Sequence, residues 1–301
     1  MGLAYTYYPG CSVGATSLWY DRSLRAVAKA LDVELAELED WNCCGATAYM
    51  SVRELMSFCI SARNLALAEP LGRDLVTPCN ACFVVLHKTN RYFKEDAGVR
   101  EKVTQALGAA GLSYKGTVKV RHALDVMVND VGLDVISEQV THSLGGLKAA
   151  AYYGCQLVRP DTGLDSKDYP VILDQLLASL GAEPVEWSMK ARCCGASLIV
   201  SREDVALDLI ADILKCAADS GAEAIVTLCP MCHINLETQM SRVNAKYGFD
   251  FDFPVLFFSQ LMGVALGVDE AELGLNKGFI DPQPLLKRRV TGASARKGGA
   301  V

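Results

Sequence analysis

Two copies of one five-cysteine pattern constrain this chain more than anything else in it. In the first half Cys11 is followed by 31 residues, then Cys43-Cys44-Gly45, then 33 residues, then Cys79-Asn80-Ala81-Cys82. In the second, Cys155 is followed by 37 residues, then Cys193-Cys194-Gly195, then 33 residues, then Cys229-Pro230-Met231-Cys232. Ten of the twelve cysteines fall in these two patterns. Thiols spread so regularly over three separate segments need a fold that brings those segments together, and need it twice.

Aligning the cysteines brings other sequence into register. Tyr7-Tyr8-Pro9-Gly10-Cys11 matches Tyr152-Tyr153-Gly154-Cys155, Asn42-Cys43-Cys44-Gly45-Ala46 matches Arg192-Cys193-Cys194-Gly195-Ala196, and Thr77-Pro78-Cys79 matches Thr227-Leu228-Cys229. A period of about 150 residues is a duplicated domain and not a solenoid repeat. Short apolar or aromatic runs at 3–8, 33–38 and 74–77, and again at 149–153, 184–187 and 224–228, read as strands. Helical periodicity lies between them at 17–31, 52–68, 170–180 and 203–218, and further helices begin at both C-x-x-C motifs. The expected fold is therefore α/β, with two pseudo-symmetric, Rossmann-like βαβ halves built on parallel sheets. Each cysteine group falls just beyond the carboxyl end of a strand, where open α/β sheets build their sites. The expected division is 1–145 and 146–285, joined within 133–148 where Gly145-Gly146 interrupts the pattern, with 286–301 as a flexible tail.

Composition narrows the function classes. The formal net charge of −6 argues against a nucleic-acid partner, which calls for a basic stripe. The apolar stretch 253–268 is interrupted by Ser259 and Gln260 and falls short of the roughly 20 residues that a membrane span needs. It reads as a buried core helix, and no transmembrane segment is expected. The N-terminus lacks a basic region followed by an apolar run, so no signal peptide is expected. Twelve cysteines in a chain without an export signal fit a reducing cytoplasm, where grouped thiols bind metal more often than they form disulfides.

The ligand count helps to choose the metal. Structural zinc takes four ligands and an ordinary cubane cluster takes four cysteines, whereas each half offers five. Adjacent cysteines diverge on a strand, so a shared site needs a turn at the pair, and the following glycine permits it. The surplus thiol points to an extended iron–sulfur cluster with a bridging thiolate. Structural zinc or reduced core thiols are the bland alternative.

The doubled CCG pattern, with Tyr-Tyr-Gly-Cys-Gln-Leu-Val-Arg-Pro at 152–160, Cys-Pro-Met-Cys-His-Ile-Asn-Leu-Glu at 229–237 and the apolar segment 253–267, resembles the B-type subunit of the heterodisulfide reductases over nearly the whole chain. That resemblance implies two noncubane [4Fe–4S] clusters. Cys11, Cys43, Cys44, Cys79 and Cys82 would hold one, and Cys155, Cys193, Cys194, Cys229 and Cys232 the other. It implies reduction or reversible formation of a disulfide between the clusters, one electron from each. The disulfide would be that of coenzyme M and coenzyme B in a methanogen, or another small-molecule or lipoyl-type disulfide in bacteria. It also implies an iron–sulfur C-type subunit and a flavin-containing A-type subunit as partners, in the cytoplasm or peripheral to a membrane through them. The alternative is an electron-relay or anchoring subunit of another CCG-containing oxidoreductase, acting in lactate or glycolate oxidation or in an unusual succinate dehydrogenase.

Other residues carry bland readings. His233, beside Cys232, reads as a helix-start residue bonded to backbone, and none of His87, His122, His142 or His233 is assigned a catalytic role. Cys59 and Cys216 read as small core residues, and Gly10, Gly45 and Gly195 as backbone geometry near the clusters. The Arg159-Pro160-Asp161 segment reads either as facing an anionic substrate or as a salt-bridged surface.

Overall fold

The computed structural model describes residues 2–46, 49–159 and 162–292. Strands β1 (Leu3–Tyr7), β2 (Val33–Glu37), β3 (Leu75–Thr77) and β4 (Val120–His122) form a parallel sheet in the order β2-β1-β3-β4. The short strand β5 (His142–Ser143) follows outside it. Strands β6 (Lys148–Tyr152), β7 (Glu183–Pro184), β8 (Ala224–Thr227) and β9 (Val255–Phe257) form a second parallel sheet in the order β7-β6-β8-β9. Finally β10 (Thr291–Gly292) pairs antiparallel with β5. The two large sheets have the same strand order, so the duplication read from the cysteines is a duplication of topology.

Helices Leu18–Ala30, Glu54–Ala68, Ile172–Ser179 and Glu203–Asp219 lie where the apolar periodicity puts them. Four strands go beyond the sequence reading, two of them, β5 and β10, only two residues long. β4 is only three residues long, too short to display an alternation, and β9 lies inside the stretch 253–268. That stretch is a strand followed by the helix Phe258–Leu266, not one buried helix. Both parts are buried, and a continuous apolar run does not separate a core strand from a core helix by periodicity. No described helix is long and apolar enough to cross a membrane.

The strand expected over 184–187 stops at Pro184. Val185 N still donates to the Ala149 carbonyl at 2.9 Å, and at the next acceptor of β6 a side chain takes over: the buried Trp187 indole donates to the Ala151 carbonyl at 3.2 Å. Trp187→Phe keeps most of the packing and removes this bond. It should lower stability by about 1 kcal/mol in urea unfolding, and an unchanged midpoint would show that the indole bond does not stand in for the ladder.

The halves are not separate bodies. One buried core includes Tyr5, Tyr7, Leu24 and Leu75 of the first half together with Ala149, Leu176, Phe258 and Leu261 of the second. Helix Leu18–Ala30 packs on helix Phe258–Leu266, where Ser23 and Ser259 share a buried hydrogen bond of 2.7 Å. Residues 286–292, read from sequence as tail, carry structure. Leu285 and Leu286 bury one face of helix Gln283–Arg289, and Arg289 pairs with Glu223 at 2.7 Å. Residues 293–301 lie outside the described residues.

Candidate metal centre

Both C-x-x-C motifs straddle a strand-to-helix turn. β3 ends at Thr77 and β8 at Thr227; Cys79 and Cys229 are then extended N-cap residues of helices Asn80–Glu95 and Pro230–Tyr247. Pro230 takes the first helical position, where a missing N–H costs nothing. The second cysteine of each motif, Cys82 or Cys232, thus sits in the first helical turn and is buried.

Phenols pin the CCG turns. Tyr8 donates to the Asn42 carbonyl and Tyr152 to the Arg192 carbonyl, both at 2.7 Å, each just ahead of a CCG triplet. Counting back from the cysteines, Tyr8 is therefore the structural mate of Tyr152, and Tyr153 falls opposite Pro9. In the first half the Asn64 side chain accepts from Asn42 N at 2.9 Å and donates to its carbonyl at 3.1 Å, while Ser57 donates to the Gly45 carbonyl at 2.9 Å. In the second, Asn235 donates to the Cys194 carbonyl at 2.6 Å.

The thiols form a nearly continuous run. The ionisation of each thiol is tied to a neighbour's: Cys43 with Cys44, Cys44 with Cys82, Cys82 with Cys79, Cys79 with Cys229 and Cys229 with Cys232. Cys232 meets Cys194 at 3.5 Å, and Cys155 pairs with Cys193. The Cys79–Cys229 pair couples one half to the other. Bonds from Cys43 and Cys82 pull the Cys44 thiol down to about 4, and the bond from Cys155 pulls Cys193 down to about 6. Bonds from Cys232 and Cys79 lower Cys229 well below an ordinary thiol. Cys43, Cys82, Cys155 and Cys232 are pushed up, first by their thiol neighbours and then by burial. Thiols packed this closely cannot all ionise together unless cations lie between them.

Several features fit iron–sulfur ligation. The donors are all sulfur. Backbone N–H groups already point at two of them, Ala46 N at Cys44 Sγ (3.5 Å) and Gly195 N at Cys193 Sγ (3.3 Å). A Cβ on Gly10 would come within 2.8 Å of Cys82 Sγ, and one on Gly154 within 3.0 Å of Cys232 Sγ, so each half has a cradle that only glycine leaves open. The Thr77 and Thr227 hydroxyls, two residues ahead of Cys79 and Cys229, are buried without a hydrogen-bond partner among the described residues. No three His, Cys, Asp or Glu side chains among the described residues gather as a site for a single ion.

Cross-half bonds hold the two C-x-x-C turns together. Asn80 Nδ2 donates to the Tyr153 carbonyl at 2.6 Å. The fully buried Tyr20 hydroxyl lies 3.0 Å from the Pro78 carbonyl and 3.2 Å from that of Leu228, the residues preceding Cys79 and Cys229. Its ring stacks on Phe257 at 4.0 Å, and His233 stacks on the same ring at 4.2 Å. Neither Tyr20 nor His122 is marked as a site residue by sequence. The Tyr-Tyr doublet ahead of each Gly-Cys is a signal for Tyr8 and Tyr152, but Tyr20 has no counterpart in register.

The remaining candidates are placed as follows. Burial holds His233 neutral, down to about 4, with a bond to the Val255 backbone, in keeping with a backbone-bonded helix-start residue. Cys59 and Cys216 are half-buried against the two cores. Arg159 is surface-lying, bonded to the Lys167 carbonyl at 3.0 Å and 3.9 Å from Asp168; Pro160 and Asp161 lie outside the described residues.

The CCG family model, described as a cysteine-rich domain, matches residues 5–87 and 149–237. The chain belongs to this family of doubled cysteine-rich domains, and within it to the group resembling the B-type subunit of heterodisulfide reductase. It is 32% identical to the B-type subunit of the ferredoxin/F(420)H(2)-dependent CoB-CoM heterodisulfide reductase of Methanosarcina acetivorans, over 91% of this chain and 92% of that one. It is 33% identical to the 8-methylmenaquinol:fumarate reductase membrane anchor subunit of Wolinella succinogenes, over 93% and 98% respectively. Among solved structures, a hypothetical protein from Helicobacter pylori superimposes with a TM-score of 0.71 at 14% identity, covering 92% of this chain and 51% of that one. That likeness concerns the fold, and this chain spans about half of that protein.

Proposed function

We propose that this chain is the disulfide-reducing, B-type subunit of a heterodisulfide reductase-like complex. The observation that carries the reading is the joining of the two C-x-x-C turns by the Asn80 and Tyr20 side chains, which brings two complete five-thiol sets together across the pseudo-symmetric halves. Cys11, Cys43, Cys44, Cys79 and Cys82 would hold one noncubane [4Fe–4S] cluster, and Cys155, Cys193, Cys194, Cys229 and Cys232 the other. Bound there, the pair would supply one electron each to the two sulfurs of a disulfide.

The chain's own groups supply the setting. Buried Cys44, Cys79, Cys82, Cys194, Cys229 and Cys232 keep water from the inner thiols, while Cys11 and Cys193 are exposed and leave an approach from solvent. Tyr8 and Tyr152 fix the CCG turns, and the N–H groups of Ala46 and Gly195 favour electron-rich sulfur. Cys79 on one side and Cys229 on the other place the two halves' donors next to each other, as a substrate with two equivalent sulfurs requires. No nicotinamide or flavin fingerprint stands in the sequence, so electrons would arrive from an iron–sulfur C-type subunit fed by a flavin-containing A-type subunit. The complex would work in the cytoplasm, with any membrane attachment made through a partner.

A second reading has a specific support of its own, the similarity to the fumarate reductase anchor subunit. On that reading the same thiols hold clusters that relay electrons, and no disulfide binds. Anaerobic iron and sulfide analysis with EPR separates the two. The reductase reading expects about eight iron atoms per chain, as two four-iron clusters require, and a cluster signal altered by a substrate thiol. Eight iron with a signal indifferent to every thiol and disulfide tried would favour the relay, and zinc without iron would overturn both.

A further inference from the structure

The two C-x-x-C turns are alike in backbone, but the groups behind them are not. β4 and β9 hold the same register against the strands that lead into the motifs: His122 lies opposite Thr77, and Phe257 opposite Thr227. Histidine and phenylalanine thus occupy one pseudo-symmetric position. His122 Nδ1 accepts from Leu124 N at 3.1 Å. The ring proton is therefore on Nε2, which lies 3.0 Å from the Pro78 carbonyl and donates to it. Phe257 has nothing to donate to Leu228. Tyr20 supplies what is missing, because its hydroxyl reaches both carbonyls but carries a single proton.

We infer that Tyr20 and His122 are a shared brace that sets the spacing of the two cluster sites: His122 serves the Pro78 carbonyl, which leaves the Tyr20 proton for Leu228. Two donors then satisfy two buried carbonyls, one ahead of Cys79 and one ahead of Cys229. Neither residue touches a thiol through these bonds, so both are positioning residues. The brace also makes the two sites unequal. Removing the His122 donor draws the Tyr20 proton towards Pro78 and leaves Leu228 unserved, so a first-half substitution acts on the second-half site.

This inference rests on both sites holding clusters, and its test is arranged so that the two claims fail separately. Purified anaerobic chain is compared as wild type, Tyr20→Phe, His122→Phe and His122→Gln, by iron content, by redox titration and by EPR of the fully reduced protein. Tyr20→Phe keeps the stack on Phe257, and the Gln amide of His122→Gln can still donate. Iron is expected at the wild-type level in all four. The splitting from spin coupling between the centres, and the potential of one centre, should change in Tyr20→Phe and in His122→Phe and return to wild type in His122→Gln. The double Tyr20→Phe, His122→Phe variant should shift less than the sum of the singles, since they share one proton. Wild-type splitting and potentials in Tyr20→Phe at full iron would overturn the brace, as would a His122→Gln variant that behaves like His122→Phe. Wild-type chain without iron would instead overturn the cluster reading.

Discussion

Gly10→Ala and Gly154→Ala should each remove the iron of one half, about four of about eight atoms per chain, and leave the other half loaded. Both residues are in the left-handed region, at φ +78° and +66°, which disfavours alanine by about 1 kcal/mol. A folded protein tolerates strain of that size. The decisive term is steric. The new methyl group would lie 2.8 Å from Cys82 Sγ in one variant and 3.0 Å from Cys232 Sγ in the other, at thiols that are buried and already bonded to their neighbours. A sulfur pushed off by even a few tenths of an ångström no longer matches its partners in a close-packed interior. Gly72→Ala is the control. It has φ +65° with nothing within 4 Å of the added carbon, so it carries the strain without the clash and should keep all of its iron. Full iron in both Gly10→Ala and Gly154→Ala would show that the sulfurs do not need these positions, and equal loss in Gly72→Ala would reduce the effect to general destabilisation.

The cysteine spacing carries most of the fold because it is tied to topology. Each thiol group must follow a strand, so finding the groups also finds β1, β3, β6 and β8. β4 and β9 carry no ligand, and at three residues each they are too short to show the alternation that would betray them. The same limit applies to the site. The ligands are legible one by one, since chemistry demands cysteine at those positions. Tyr20 and His122 act through backbone carbonyls, which carry no sequence signature. The pairing of Tyr8 with Tyr152 is half-visible: the doublet is in the sequence, but the one-residue offset introduced by Pro9 is settled only by which phenol reaches the CCG turn.

Removal of the Arg121 guanidinium should be the most damaging single change outside the cysteines and glycines. Arg121 lies in β4 immediately before His122, almost wholly buried, and its side chain joins three acids: Asp125 through Nε, Asp130 at 3.0 Å and Asp74 at 3.5 Å. Asp130 in turn accepts from Tyr5 of β1 at 2.5 Å, so the network ties both sides of the first sheet's interior to one residue. Arg121→Met takes the shared cation from three partly buried carboxylates; breaking a buried ion pair in this way is worth about 3–5 kcal/mol. Asp74 and Asp130 retain partial access to water and can rehydrate, so about 3 kcal/mol is expected by urea unfolding. The acid limb of stability gives an independent sign. Burial alone would raise the Asp130 pKa, but the bonds from Arg121 and Tyr5 outweigh it and hold it below an ordinary aspartate. A carboxyl depressed in the folded state adds stability above its unfolded pKa of about 3.9, and that stability is lost as the pH falls through the lower, folded value. The wild type should therefore lose stability below about pH 4 more steeply than Arg121→Met, in which Asp130 no longer titrates low. Parallel acid limbs in the two proteins would mean that Arg121 packs the sheet edge without holding the charge of Asp130. A difference at low pH would assign to this buried cation the position of β4, and with it the position of His122 behind the first cysteine pair.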